Sequence, residues 1–134
     1  MEEAGGGNFL GLEEGPVGPW DVAVLPIPFE MTTSWVEGTE GGPSACIEAS
    51  SQVELYDPML PTDLPCGFSF HTAESWSSDA GTLQEQLKSI REYVEPWVGK
   101  SFPLVLGGEH GILPPIVEAI SAHPLLNGDL GGLT

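Results

Sequence analysis

Ser101-Phe102-Pro103-Leu104-Val105-Leu106-Gly107-Gly108-Glu109-His110-Gly111-Ile112 is the stretch that decides how this chain is read. A short apolar run ends in two glycines, an acid and a histidine follow at once, and a helical pattern begins at Leu113. The pattern describes a buried strand that delivers two polar side chains to the carboxyl edge of a sheet. In open α/β folds that edge is where ligands bind. Gly107 and Gly108 let the chain turn sharply and let another group approach the backbone closely. His110 is then placed to bind a metal or move a proton, and Glu109 to orient or charge the site. The same junction is common in α/β proteins without any chemistry, and a lone histidine after a strand is more often structural than functional. Phosphate binding by the next helix is a weaker reading. The stretch has no Lys for a phosphate-binding loop, and two glycines where a dinucleotide fingerprint has three.

Outward from that stretch, composition sets the bounds. The chain has 134 residues, of which 40% are hydrophobic, enough for one domain with a core. Twenty acidic residues against three basic ones give a formal net charge of -17. Such a chain repels nucleic acid and anionic membrane surfaces, so neither is expected as a partner. It would attract a cationic substrate or metal ions, although acidity serves plain solubility equally well. Cys46 and Cys66 form no CxxC pattern, which argues against a cysteine zinc site and fits a reduced, cytoplasmic protein. Met1 to Gly7 lacks the basic start and apolar core of a signal peptide. No apolar run approaches the roughly 20 residues that span a bilayer.

In chain order, residues 1–19 are acidic and glycine-rich and are expected to be a flexible lead-in. Val22-Ala23-Val24-Leu25 is continuously apolar, as strands buried on both faces are. Pro26 and Pro28 are expected to lead the chain out of the sheet. Glu30 to Gly42 reads as a loop that contains Trp35. Pro43 opens a helix, with Cys46, Ala49, Val53 and Tyr56 on one apolar face. On that spacing Cys46 is core, and Pro58 and Pro61 end the helix. Gly67 to Thr72 reads as an edge strand, and its His71 as structural or surface. Ser78 or Asp79 is the expected cap of the next helix. Leu83, Leu87, Ile90, Val94 and Trp97 form the clearest amphipathic pattern in the chain. Pro96 falls near its end and Gly99 suits the C′ position. Pro114 and Pro115 fit only the first turn of a third helix, which His123-Pro124 ends. Asn127 to Gly132 is turn-rich, and Leu133-Thr134 reads as the opening of a strand, which suggests a fragment. The order predicts a parallel sheet with helices on its faces.

At this point the residues resemble the N-terminal part of the ureohydrolase family, which includes arginase and agmatinase. Val24-Leu25-Pro26-Ile27-Pro28-Phe29 is similar to the family's first strand and its exit. Gly38-Thr39-Glu40-Gly41-Gly42-Pro43 is similar to its Gly-x-x-x-Gly-Pro loop, and Ala45 to Asp57 to its first helix. Pro103 to His110 is similar to its Gly-Gly-(Asp/Glu)-His motif. The likeness covers roughly residues 20 to 125, and Glu54-Leu55-Tyr56-Asp57 with Gly-Gly-Glu-His leans toward the agmatinase-like branch.

The resemblance implies a three-layer α/β/α fold around a parallel sheet, incomplete at its C-terminus and occupying residues 20–134. It implies a manganese site of two ions at the carboxyl edge, with His110 as the one ligand present here. Glu109, Gly107 and Gly108 would support and shape the site; the resemblance assigns no catalytic residue to this chain, and the substrate-binding residues remain open. The two ions would supply an activated water at neutral pH, which a resonance-stabilised guanidinium carbon requires. The implied reaction is hydrolysis of a small cationic guanidino compound, agmatine to putrescine and urea, by a homo-oligomer, trimer or hexamer. Arginase, guanidinobutyrase and formimidoylglutamase are the alternative branches, and a truncated, non-catalytic interaction module is the alternative class. The family usually has Ser or Thr where Gly111 stands, and many members have Arg at Glu40. Its Asp-x-His-x-Asp and Asp-x-Asp motifs do not occur in this sequence.

Overall fold

Val22–Ile27 is the central strand, β1, of the computed structural model, which describes residues 7–13, 18–30 and 38–123. Its side chains are apolar without alternation because both faces of the sheet are covered, and Ala23, Val24, Leu25 and Ile27 have no exposed surface. β2 (Phe70–Thr72) and β3 (Phe102–Gly107) flank it, both parallel, in the order β2-β1-β3.

Pro26 does not lead the chain out of the sheet. β1 continues through Ile27, with Pro26 paired to Leu106 and Ile27 to Gly107. The reason lies in which way each residue faces. The Pro26 carbonyl accepts from Trp76 N–H at 2.9 Å, on the β2 side, where β2 has already ended at Thr72. The N–H that proline lacks would point to that side too, so the β1–β3 ladder loses nothing. Pro103 uses the same device in β3. Phe102 N–H donates inward to the Asp21 carbonyl at 2.8 Å, so Pro103 turns outward, to the side of β3 on which no described strand pairs.

Three helices follow: α1 (Gly42–Ser50), α2 (Leu83–Val94) and α3 (Leu113–Ser121). Ala23, Leu25, Ile27 and Phe29 form one core cluster with Ile90 and Val94 of α2 and Ile116 and Ala119 of α3. Successive strand residues face opposite sides, so Val24 and Pro26 face the other layer, where α1 packs on β1 and β3. The result is the three-layer arrangement with a parallel sheet.

α1 is shorter than its sequence suggests, and its buried side is different. Pro43, Ile47 and Ser50 are buried, while Cys46 and Ala49 are exposed. Val53 and Tyr56 lie beyond the helix, 50% and 67% exposed. Pro58 and Pro61 do not end it. The hydroxyls of Ser50 and Ser51 turn back onto the carbonyls of Ile47 (2.6 Å) and Glu48 (2.8 Å), a local alternative to continuing the helical ladder. Ser50 Oγ also accepts from Leu10 N–H at 2.7 Å, which ties the helix end to the N-terminal segment.

That segment is not wholly a flexible lead-in. Phe9–Gly11 forms a 3-10 turn; Phe9 N–H donates to Thr72 Oγ1 at 3.0 Å, and the Phe9 ring lies 6.4 Å from that of Phe70. Phe9, Leu10 and Leu12 give these residues apolar surface to bury. Residues 1–6 and 14–17 lie outside the described residues, as do Trp35 and the turn-rich stretch after His123.

α2 matches its predicted spacing, and Pro96 falls in a 3-10 turn, Glu95–Trp97, that closes it. Its cap, however, is Thr82, not Ser78 or Asp79. Thr82 Oγ1 accepts from Glu85 N–H at 3.2 Å, whereas Ser78 Oγ accepts from Ala80 N–H in a separate turn. Thr82-Leu83-Gln84-Glu85 has the capping-box spacing. Thr82→Ala is expected to lower stability by about 1 kcal/mol and Thr82→Ser by less, measured by chemical denaturation; an unchanged midpoint in Thr82→Ala would remove the cap assignment.

Tyr93 of α2 donates to the Glu74 carbonyl. Burial, and secondarily the Glu74 carboxylate, pushes its phenol up from 10.0 to about 12. The unfolded chain therefore releases this proton first. The stability it supports is whole below about pH 10 and is lost as pH rises toward about 12. Tyrosinate absorbance should show one late-titrating step that Tyr93→Phe removes, and the variant's stability should fall less steeply over that window.

Candidate functional site

The connections of the sheet make a crevice. β1 leads through α1 to β2 on one side, and β2 leads through α2 to β3 on the other. β3 leads into α3, which packs beside α2, so the chain leaves the carboxyl ends of the neighbouring strands β1 and β3 toward opposite faces, the topological switch point at which open parallel sheets bind ligands. Two exits border it: Pro28-Phe29-Glu30 after β1, and Gly108-Glu109-His110 after β3.

The β3 exit is held from β1. Gly108 N–H donates to the Ile27 carbonyl at 3.2 Å and Glu109 N–H to the Phe29 carbonyl at 2.9 Å. His110 begins a 3-10 turn, His110–Ile112, that runs into α3 with Pro114 and Pro115 in the first turn. His110 is exposed and Glu109 half-buried. Both line an open depression of about 460 Å³ with Gly107, Gly108, Val105 and Ile116. The depression has apolar walls, and its acid and imidazole come from consecutive residues.

Gly107 acts through close packing and not through an unusual backbone. Neither it nor Gly108 has a positive φ. A Cβ at Gly107 would overlap Ile112 Cδ1, and the Gly107 carbonyl lies 3.5 Å from where a Cβ at Gly42 would stand. Gly111 is less constrained. A Cβ there would meet Glu109 Oε1 at 3.6 Å and Phe29 Cε2 at 3.9 Å, ordinary contacts, so a β-carbon is accommodated at this position.

Sequence reasoning passed over Glu30. Its carboxylate accepts from Gly38 N–H at 2.7 and 2.9 Å and from Glu40 N–H at 3.0 Å, which fixes the turn before α1 to the β1 exit. The available signal was its place directly after the strand's Pro28-Phe29.

The other histidines do not join the site. His71 pairs with Ala23, level with Pro103, roughly 13 Å short of Gly107 along the strand. Its ring lies 4.1 Å from that of Trp20 and 5.3 Å from that of Trp97. His123 lies against Gly99. Among the described residues no three of His, Cys, Asp and Glu come together to hold a metal ion. One imidazole beside one acid does not fit a two-ion centre.

The model of the arginase family matches residues 20–131. The chain belongs to the arginase family. Among its arginase-family relatives, an N(1)-aminopropylagmatine ureohydrolase from Synechocystis is 39% identical over 106 residues, covering 74% of this chain and 34% of that protein. An agmatinase from Bacillus subtilis is 34% identical over 101 residues, covering 75% and 34%. A Clostridium difficile crystal structure described as a "putative agmatinase" superposes with a TM-score of 0.67 at 25% identity, covering 76% of this chain and 37% of that one. The chain thus spans about a third of the length of these relatives. The relatives are hydrolases, and the Gly107-to-His110 turn stands at the carboxyl end of β3 in an arginase-like sheet. No helix among the described residues is long and apolar enough to cross a membrane.

Proposed function

We propose that this chain forms part of an agmatinase-like ureohydrolase that hydrolyses a linear guanidino compound to urea and an amine. The observation that carries the reading is the Gly107-Gly108-Glu109-His110 turn at the β1–β3 switch point of an arginase-family sheet. In this reading His110 donates one imidazole to a manganese centre whose other ligands are not among the described residues. Manganese, when bound, would supply the activated water; this chain's own residues would place one imidazole, that of His110, and set Glu109 beside it. Agmatine is the lead substrate. N(1)-aminopropylagmatine is a second candidate, favoured by the 39% identical relative that bears its name. The net charge of -17 favours either polycation. A cytoplasmic homo-oligomer without nucleic-acid or membrane partners completes the reading.

The test is urea release from agmatine, N(1)-aminopropylagmatine and arginine in the presence of manganese. One imidazole holds a divalent ion weakly, since affinity follows ligand number and geometry. The 134-residue chain is therefore expected to bind manganese weakly and to release no urea. A form that continues past Thr134 into the family's Asp-x-His-x-Asp motif is expected to turn over, and its His110→Ala variant to lose manganese from one site. Unchanged metal stoichiometry and activity in that variant would dismiss the role of His110. Brisk turnover by the 134-residue chain would show that it holds a full set of ligands.

A further inference from the structure

The two exits at the switch point are built differently. The β3 exit is fixed by backbone hydrogen bonds to β1, from Gly108 to Ile27 and from Glu109 to Phe29. The β1 side depends on a side chain. Gly38 has a φ of 110°, a left-handed conformation suited to glycine. Thr39–Gly41 then makes a 3-10 turn, closed by Gly41 N–H to the Gly38 carbonyl at 3.0 Å. Two N–H groups of this turn, those of Gly38 and Glu40, point at one carboxylate, that of Glu30. Charge-assisted bonds of this kind are the stronger class. The turn runs directly into Gly42, which sits against the Gly107 carbonyl at the end of β3. Glu30 thus fastens the start of α1 beside the strand end that carries His110.

We propose that Glu30 is the positioning residue that builds the β1-side wall of the substrate crevice, by holding the Gly38–Gly42 turn against the end of β3. The inference rests on the ureohydrolase reading for the crevice and its substrate, and on the hydrogen bonds of Glu30 and the packing of Gly42 for the position of the turn. Glu30 does not touch the reacting atoms; it acts through the turn it holds.

The test follows backbone amides by NMR in the 134-residue chain and in its Glu30→Ala, Glu30→Gln and Glu30→Asp variants, with agmatine as the probe. In Glu30→Ala, hydrogen exchange at Gly38 and Glu40 is expected to quicken at least about tenfold. Leu25 and Val105 in the β1–β3 ladder should keep their protection, which separates release of the turn from general unfolding. Glu30→Gln, whose side-chain carbonyl still accepts, should restore part of the protection, and the shorter Glu30→Asp less. Agmatine is expected to shift the amides of Gly108 to His110 and of Gly38 to Gly42 in the unaltered chain. In Glu30→Ala it should shift only the first group. Unchanged exchange at Gly38 and Glu40, or agmatine shifts at Gly38 to Gly42 that survive in Glu30→Ala, would overturn the inference. If agmatine shifts neither group in the unaltered chain, the substrate role of this wall is overturned; the exchange rates still decide whether Glu30 holds the turn, and urea release by the longer form decides the ureohydrolase reading separately.

Discussion

Phe29→Ala is expected to cost about 3–5 kcal/mol. The ring is 1% exposed and meets Trp76 edge-on at 6.0 Å between centroids. It belongs to the cluster that joins β1 to α2 and α3. Truncation removes the transfer free energy of the ring and leaves a cavity that the β1 backbone cannot close, since Ile27 and Glu109 fix it on both sides. The Phe29 amide donates to the Ile27 carbonyl at 2.8 Å, and its own carbonyl accepts from Glu109. Against a total of about 5–15 kcal/mol for a domain, the loss would leave a substantial unfolded population. Denaturation followed by Trp fluorescence and far-ultraviolet dichroism checks this. The site should suffer with the core, because the same ring lies under Gly111. Phe29→Leu should recover part of the loss. A cost below about 1 kcal/mol in Phe29→Ala would mean that the ring is peripheral, against the burial described.

Gly99→Val is expected to cost about 1–3 kcal/mol through the backbone alone, with a steric contribution added to it. Gly99 has a φ of 85°, a region that β-branched residues avoid, where the chain leaves the Glu95–Trp97 turn for β3. A Cβ there would overlap the ring of His123, just past α3. The two contributions separate in a double-mutant cycle. His123→Ala should relieve the overlap but not the backbone strain, so the Gly99→Val cost should shrink in that background without vanishing. An equal cost in both backgrounds would show that His123 simply moves aside. No cost in either would show that the turn readily adopts another conformation.

The residues around the candidate site divide by the range of the forces that place them. His110 was legible because its signal is contiguous: an apolar run, two glycines, an acid and an imidazole. Glu30 was not, because its carboxylate meets two amides eight and ten residues later, a pairing that composition does not specify. Thr82 was legible in principle, since Thr-x-x-Glu is a local signal, but an earlier Ser and Asp offered the same chemistry.

Apolar runs and three-to-four spacing were enough for β1, α2, β3 and α3, for the parallel sheet and for the place of His110 at its edge. Those patterns record burial on one face or two, and each is written in consecutive residues. Tertiary structure alone settled the rest. Pro26 stays in the ladder because its missing N–H faces the side that β2 has left. Cys46 is exposed because α1 rests on Pro43, Ile47 and Ser50, a choice made by the strands beneath it. His71 stacks near Trp20 and Trp97 because parallel pairing brings β2 beside the start of β1, with the end of α2 alongside. Each outcome is fixed by which segment becomes a neighbour, and that depends on the sign of the crossovers and the register of the sheet, neither of which is encoded in the residue itself.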